Sequence, residues 1–182
     1  MLYIMRHGKT DWNAKHKLQG REDIPLNEEG REMARAAKAA HSDLHFDICY
    51  CSPLIRAKET AEIFLSGTGT PIVTDNRLRE MSFGIYEGTE HVTQTPECPV
   101  YTLFKDPVHY TAVNEAESLE ELYTRTGNFI EEVLTPEYVA TKNILIVAHG
   151  AMNCSIINQY ENIPLEHFWD SLQKNCELRR LV

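Results

Sequence analysis

The most constraining feature of this chain is Ile144–Ala148, a run of five apolar residues with no polar position. A strand with one face in solvent would alternate apolar and polar residues, so this run predicts a central parallel strand covered on both faces. A second short apolar run, Leu2–Met5, predicts another strand near the N-terminus. Parallel strands need crossover connections, so we expect helices between the strands.

The segments between the apolar runs have the signals of helices. Asn27 can cap a helix that extends to about residue 40, and the two glutamates after it suit the positive end of the helix dipole. Ser118 followed three residues later by Glu121 forms a capping box at the start of another amphipathic helix. This alternation predicts an α/β fold of three α/β/α layers around a mostly parallel sheet. Ligands of such folds bind beyond the carboxyl ends of the strands.

A further helix start is predicted after the apolar run Phe46–Cys51. Ser52 would be its N-cap and Pro53 would take the first helical position. Arg56 would then lie in the first turn, and its side chain would lean toward the carboxyl edge of the sheet. A cation at a helix N-terminus is unfavourable, and a bound anion at the same place would remove that conflict.

Composition limits the classes of function. The chain has 182 residues, which predicts one domain over residues 1–182, and its 18 basic and 27 acidic residues give a net charge of −9. This charge argues against nucleic acid or an anionic membrane as a partner. The five cysteines lack the spacing of a zinc site or a redox motif, which indicates free thiols. The five apolar residues at the N-terminus are too few for a signal peptide, so we expect a cytoplasmic protein.

Two of the predicted strands lead directly into a histidine that is followed by glycine. Arg6 and the pair His7-Gly8 follow the first strand, and the pair His149-Gly150 follows the central strand. Each histidine alone would more often be a buried residue at a strand end. Two at matching positions of parallel strands instead predict two imidazoles at one edge of the sheet, where glycine allows the backbone to approach a ligand closely.

Arg6 and Arg56 would add two guanidiniums to the same edge. Their forked donors match the oxygens of a phosphoryl group. Asn13 and the turn at Gln19-Gly20 could add neutral hydrogen bonds. The sequence therefore predicts a basic phosphate pocket on an acidic protein. It has no Walker-type glycine loop, so a nucleoside triphosphate site of that kind is not expected.

Four motifs follow one another along the chain: Arg6-His7-Gly8 with Asn13, then Ser52-Pro53-Leu54-x-Arg56-Ala57-x-x-Thr60-Ala61, then Arg79-Glu80-Met81-x-Phe83-Gly84, and then His149-Gly150. Together they resemble the histidine phosphatase superfamily, and most closely its phosphoglycerate mutase-like branch, which includes small-molecule phosphatases. The resemblance extends from residue 2 to about residue 160. It implies a phosphoglycerate mutase-like fold and hydrolysis of a small phosphorylated metabolite without a metal or other cofactor.

The resemblance also implies roles for individual residues. His7 would be the nucleophile that forms a phosphohistidine. Glu80 would protonate the leaving alcohol and then activate water. The remaining expected contacts with phosphate or substrate are Arg6, Asn13, Gln19, Gly20, Arg56, His149 and Gly150.

The segment from Met81 to Ala116 fits the alternating pattern worst, because prolines, glycines and aromatic residues are scattered through it. We expect an irregular or short-helical excursion that covers the pocket mouth as a lid or specificity element. Among its aromatic residues, Tyr101, Phe104 and Tyr110 are the candidates for setting substrate preference.

Three alternative functions remain open at this point. A phosphoglycerate mutase would share the core, but related mutases carry a lysine and paired arginines in this region, whereas residues 81–117 contain only Lys105. We therefore favour a phosphomonoester whose alcohol half is neutral or partly apolar. A non-catalytic phospho-ligand binder would have no reason to combine His7, Glu80 and His149. A metallohydrolase is disfavoured because the two histidines lie among arginines that would repel a cation.

Overall fold

The computed structural model describes residues 1–182, and a five-stranded sheet forms its centre. The strands are β1 (Leu2–Arg6), β2 (Ile48–Cys51), β3 (Ile72–Thr74), β4 (Ile144–Ala148) and β5 (Leu178–Arg180). They lie side by side in the order β3-β2-β4-β1-β5. All neighbouring pairs are parallel except β1 and β5, which are antiparallel at the edge. The mostly parallel sheet expected from the sequence is confirmed.

Seven α-helices connect and flank the strands. They are α1 (Asp11–Ala14), α2 (Glu28–Ala40), α3 (Ile55–Phe64), α4 (Tyr101–Lys105), α5 (Leu119–Val133), α6 (Pro136–Thr141) and α7 (Gly150–Glu161). The Asn27 side chain caps α2 by accepting a hydrogen bond from Gly30 N–H at 2.9 Å, and Ser118 and Glu121 form the predicted capping box of α5. None of the helices combines the length and the apolar character that crossing a membrane would require.

Alternating residues of the strands supply the cores on the two faces of the sheet. Leu2 and Ile4 of β1 pack into one cluster with α5 and α7, whereas Tyr3 and Met5 pack into the other with α2 and α3. All five residues of β4 are buried, because this strand lies between β2 and β1 and is covered on both faces. The continuous apolar run in the sequence therefore follows from the position of β4 at the centre of three layers.

The predicted start of α3 is wrong by two residues. The helix begins at Ile55, and its N-cap residue, Leu54, makes no capping bond with its side chain. Asp23 supplies the missing acceptor, because its carboxylate accepts a hydrogen bond from Ile55 N–H at 2.7 Å. Ser52 lies three residues before the first helical residue, and its hydroxyl lies 2.7 Å from Nε2 of His149.

Residues 81–116 form the irregular excursion that the sequence indicates. Apart from α4, its regular parts are three short 3₁₀ turns at 84–86, 92–94 and 107–109. An isolated bridge between Phe83 and Ala116 closes the base of the excursion. The indole N–H of Trp169 holds it to the C-terminal part of the chain by donating to the carbonyl oxygen of Leu103 at 2.7 Å.

Candidate active site

Residues that follow three parallel strands meet at the carboxyl edge of the sheet. His7 follows β1, and its N–H donates to Ala148 O at 3.0 Å. Ser52 follows β2, and its N–H donates to Val147 O at 3.0 Å. These ladder bonds fix the register of the strand ends, so the ring of His7 lies beside that of His149 with centroids 5.2 Å apart.

A cleft of about 140 Å³ opens at this edge. Eight of the residues expected from the sequence line it: Arg6, His7, Asn13, Gln19, Gly20, Arg56, Glu80 and Gly150. His149 is fully buried behind the lining, against His7. The other lining residues are Lys17, Leu18, Phe83, Phe104, Ala151, Trp169 and Leu172. The excursion thus contributes Phe104 to the cleft, but neither of the other two aromatic candidates, Tyr101 and Tyr110.

The imidazole of His7 has a defined tautomer. Its Nδ1 lies 2.7 Å from Gly8 O, and a carbonyl oxygen can only accept, so Nδ1 carries the proton and Nε2 keeps its lone pair. Burial is the main cause that holds the pKa of His7 well below its usual value, and the charges of Arg56 and Arg6 act in the same direction. The ring is therefore neutral and unprotonated at Nε2 at physiological pH.

Two glycines allow the backbone around His7 to pack tightly. A Cβ on Gly8 would lie 2.6 Å from Gly30 O, and a Cβ on Gly30 would lie 2.1 Å from Lys9 O. The first turn of α2 can therefore pack directly against the backbone that follows β1. On the other side, Gly8 N–H donates to Thr60 Oγ1 of α3 at 2.9 Å. These contacts hold the carbonyl group that orients His7.

His149 has a ring nitrogen without a hydrogen-bond partner. Its Nε2 pairs with the hydroxyl of Ser52, whereas its Nδ1 is buried without a partner. Because Ser52 Oγ also accepts from Leu54 N–H at 3.3 Å, the serine can donate its own proton to Nε2. Neutral His149 then carries its proton on Nδ1, as a hydrogen-bond donor. Burial and the charge of Arg56 hold the pKa of His149 well below its usual value.

The two guanidiniums are anchored by carbonyl oxygens. Arg6 Nη1 donates to Gln173 O at 2.8 Å, and Arg56 donates to Glu22 O and Gly20 O at 2.7 Å each. Burial lowers the pKa of Arg56 to about 10, so it remains charged at neutral pH. The Nε–H group of each arginine is buried without a partner. A bound anion would satisfy such donors.

Thr10 orients the two neutral amides of the cleft. Its hydroxyl donates to Gln19 Oε1 at 2.9 Å, and its N–H donates to Asn13 Oδ1 at 3.1 Å. Because each amide oxygen already has a donor, the NH₂ groups of both side chains are left as donors. The amides therefore add hydrogen-bond donors to the positive end of the cleft.

The Glu80 carboxylate lies at the N-terminus of α7. Its Oε1 accepts hydrogen bonds from Met81 N–H at 2.9 Å and Met152 N–H at 3.0 Å. Its Oε2 has a single, longer bond from Ala151 N–H at 3.3 Å. A Cβ on Gly150 would lie 3.6 Å from Oε2 and 3.7 Å from the guanidinium carbon of Arg6, so the carboxylate and guanidinium flank this glycine.

Two supporting residues were missed by sequence reasoning. Asn175 donates to His7 O at 2.8 Å, although the two residues are 168 positions apart. Arg125 Nη1 donates to Arg79 O at 2.8 Å, next to Glu80. Neither residue belongs to a motif, and each would be interpreted from the sequence alone as an ordinary surface residue. Only the three-dimensional arrangement brings them to the site.

The donor set around the cleft does not suit a metal ion. No three His, Cys, Asp or Glu side chains are placed to hold one. The two histidines instead lie within the positive field of Arg6 and Arg56, which lowers the pKa of both imidazoles. This arrangement favours an anionic ligand.

Comparison with known proteins agrees with this chemistry. The sequence matches the histidine phosphatase superfamily (branch 1) over residues 2–182. It is 34% identical to a Hydrogenobacter thermophilus protein provisionally named phosphoserine phosphatase 2, over 99% of this chain and 88% of that protein. It is 32% identical to the 2,3-bisphosphoglycerate-dependent phosphoglycerate mutase of Cytophaga hutchinsonii, over 91% of this chain and 79% of the mutase. The solved structure of Bacillus stearothermophilus YhfR superposes with a TM-score of 0.85 at 30% identity, over 96% of this chain and 86% of YhfR.

Proposed function

The chain belongs to the histidine phosphatase superfamily, branch 1, and from that membership we propose that it hydrolyses phosphomonoesters of small metabolites through a phosphohistidine on His7. The observation that carries this proposal is the state of His7. It is a buried, neutral imidazole with a free Nε2 lone pair, and it shares the cleft with Arg6 and Arg56. A neutral imidazole is a competent nucleophile, and the two charged guanidiniums attract the phosphoryl group that it attacks.

In the first step, Nε2 of His7 attacks phosphorus and the bond from phosphorus to the alcohol oxygen breaks. The Nε–H groups of Arg6 and Arg56 and Nδ1–H of His149 stabilise the charge on the phosphoryl oxygens. Glu80, protonated at Oε2 when the substrate is bound, gives this proton to the departing alcohol. The Oε2 atom suits this transfer because it makes only one long backbone bond, whereas Oε1 makes two shorter ones.

In the second step, water attacks phosphorus and the bond to Nε2 breaks. Glu80, now a carboxylate, takes the proton of this water, so inorganic phosphate leaves and both side chains return to their starting states. The amides of Asn13 and Gln19 donate to phosphate or substrate, and the backbone at Gly20 and Gly150 allows close approach.

The charges along the cleft favour a phosphatase over a mutase. A mutase must hold a substrate that has a second anionic group. Besides Arg6 and Arg56, the only cation that lines the cleft is Lys17, and its ammonium group lies 3.5 Å from the carboxylate of Glu90 and over the ring of Trp12. Lys17 is thus the one additional cation on the cleft, and a carboxylate already lies beside it.

The remaining expectations about the whole chain are part of the same proposal. Residues 1–182 act as one domain, and residues 81–116 cover the mouth of the cleft. The presence of Phe83 and Phe104 in the cleft lining supports this second role. The partner is a small phosphorylated metabolite. The five free cysteines, four of them buried, fit a reducing compartment, and we place the protein in the cytoplasm.

A panel of phosphomonoesters, with release of inorganic phosphate as the readout, tests the proposed function. We expect turnover that survives a chelator, is inhibited by vanadate and is absent in His7→Ala. Loss of activity with chelator and its rescue by a divalent ion would contradict the proposal. Isomerisation of phosphoglycerate in the presence of bisphosphoglycerate, faster than phosphate release, would identify a mutase instead. Binding of phosphate without turnover of any ester would identify a binding protein.

A further inference from the structure

Aromatic and aliphatic side chains line the same cleft as the phosphate-binding residues. Phe83 and Phe104 come from the excursion, Leu18 comes from the segment after α1, and Trp169 and Leu172 come from the segment after α7. The catalytic steps use none of these five side chains. We call this set the aromatic wall.

The rings of the aromatic wall are held in fixed positions. Phe104 and Trp169 are stacked with centroids 5.0 Å apart and planes inclined by 20°, and Phe83 lies 6.1 Å from Phe104. Trp169 also meets the buried ring of Phe168 edge-on at 4.8 Å. The indole N–H of Trp169 is already bonded to Leu103 O, so the wall offers a ligand apolar and π surface but no hydrogen-bond donor from this ring.

Part of this surface remains open to the cleft. Phe104 and Trp169 are half-buried, and Leu172 is 45% exposed. Lys17, the nearest cation that lines the cleft outside the phosphoryl end, is paired with Glu90. A ligand that extends from the phosphoryl site therefore meets apolar surface, and covering that surface is favourable.

We propose that the aromatic wall binds the alcohol half of the substrate, and that the substrates are phosphomonoesters whose alcohol carries a flat, uncharged, apolar group. Trp169 is the main specificity residue of this subsite. It lies outside residues 81–116, so substrate preference is set jointly by the excursion and by the segment after α7. This inference rests on the proposed phosphatase activity and names its substrate class.

Three alkyl phosphates with similar leaving groups test the subsite without changing the chemistry of the step. They are 2-phenylethyl phosphate, ethyl phosphate and O-phospho-L-serine. We expect kcat/KM for the phenylethyl ester to exceed that for the ethyl ester by about ten-fold or more, because burying an aromatic ring is worth at least that factor. Phosphoserine, which adds two charges, should be no better a substrate than ethyl phosphate.

Trp169→Leu and Phe104→Leu are two independent variants that remove one ring each and keep an apolar side chain. We expect each to lower kcat/KM for the phenylethyl ester by a factor about three-fold to ten-fold larger than the factor for ethyl phosphate, mainly through KM. Tyr101→Leu is the matched control, because Tyr101 is an aromatic residue of the same short helix as Phe104 but does not line the cleft. It should change none of these values.

Inhibition by phenylethylphosphonate relative to ethylphosphonate gives the same comparison without turnover. Equal turnover of the three esters by the wild type, or equal losses for all esters in both ring variants, would overturn the aromatic subsite while leaving the phosphatase intact. Absence of phosphate release from every ester, together with absence of phosphohistidine, would instead overturn the proposed function. Tighter binding of phenylethylphosphonate in that case would still support the subsite.

Discussion

Arg125 and Glu117 form a two-bond ion pair directly behind the backbone of Glu80. Arg125 Nε donates to Glu117 Oε1 at 2.6 Å, and Arg125 Nη2 donates to Glu117 Oε2 at 2.9 Å. Arg125 also donates to Arg79 O at 2.8 Å, and Glu117 N–H donates to Ser82 O at 2.8 Å. The pair therefore holds the chain on both sides of Glu80, and we infer that both are positioning residues for the proposed proton donor.

Arg125→Lys and Glu117→Gln should therefore lower phosphatase activity in a manner that depends on the leaving group. A misplaced Glu80 cannot protonate an alkoxide efficiently, whereas a nitrophenolate leaves without a proton. We expect kcat to fall about ten-fold or more with ethyl phosphate and by less than three-fold with 4-nitrophenyl phosphate. Steady-state kinetics with the two esters measure this difference.

Arg179→Lys is the control for these variants. Arg179 also makes two hydrogen bonds to one carboxylate, that of Glu161, but at a partly exposed position on β5, outside the cleft lining. It should change neither rate. A fall by the same factor with both esters in the Arg125 and Glu117 variants would indicate general destabilisation of the fold and would remove the positioning role.

The two buried histidines should make the stability of the protein depend on pH. The pKa values of His7 and His149 are held well below 6.5 in the folded protein, mainly by burial. Below pH 6.5 the unfolded chain therefore binds protons that the folded protein does not. The free energy of unfolding is therefore not reduced by these histidines above pH 6.5. As the pH falls below 6.5, it decreases by up to about 1.4 kcal/mol per histidine and pH unit.

Urea unfolding at pH 7.5 and pH 5.5 measures this effect as a change in the free energy of unfolding. His149→Asn keeps a polar side chain without the titrating group, and we expect it to reduce the loss of stability between the two pH values by about half. His45→Asn, at an exposed position, should leave the loss unchanged. If His149→Asn loses as much stability as the wild type over this interval, the depressed pKa of His149 is wrong.

Close backbone contact at Gly30 should make that position intolerant of a side chain. The Cβ added in Gly30→Ala would lie 2.1 Å from the carbonyl oxygen of Lys9, so the backbone must move. We expect the free energy of unfolding to fall by about 1–3 kcal/mol and the rate to fall as well, because the displaced segment carries His7. Chemical denaturation and the 4-nitrophenyl phosphate assay measure the two effects.

Gly127→Ala is the matched control, since Gly127 is also a helical glycine. Its Cβ would meet only the end of the flexible Gln159 side chain, at 3.1 Å, and alanine is the better helix former by about 1 kcal/mol. We expect its stability to be equal to or slightly above that of the wild type. Equal stability of the two variants would show that the chain between β1 and α1 adapts to the added methyl group.

Much of the site could be predicted because its residues belong to strand ends and helix starts. The register of parallel strands brings the residues after β1 and β4 together, and an apolar run followed by His-Gly is visible in the sequence. Arg56 was placed correctly although the start of α3 was not, because either start leaves it in the first turn at the same edge.

The rest of the site depends on contacts that carry no local signal. Trp169 reaches the cleft because the segment after α7 returns toward the excursion. Asn175 reaches His7 because the strand that follows it, β5, pairs antiparallel with β1. Ser52 was assigned to the wrong partner for the same reason: a serine before proline has the pattern of a helix cap, whereas the nearby His149 takes its hydroxyl. Such long-range partners follow from topology rather than from periodicity.

Glu80→Gln separates the proposed proton donor from the nucleophile. Glutamine keeps the shape of the side chain but has no acidic proton to transfer, and loss of one general acid–base group costs about two to four orders of magnitude in rate. The first step should survive with 4-nitrophenyl phosphate and fail with ethyl phosphate. The second step also loses its base, so the phosphohistidine should accumulate with the aryl ester.

Rapid-quench analysis of Glu80→Gln with 4-nitrophenyl phosphate tests the central claim most directly. The account predicts a burst of nitrophenolate close to one equivalent of protein and the same amount of acid-labile, base-stable phosphate on His7, with neither in the double variant that also carries His7→Ala. Phosphate release without a burst, or protein-bound phosphate that persists after His7→Ala, would contradict the assignment of His7 as the nucleophile.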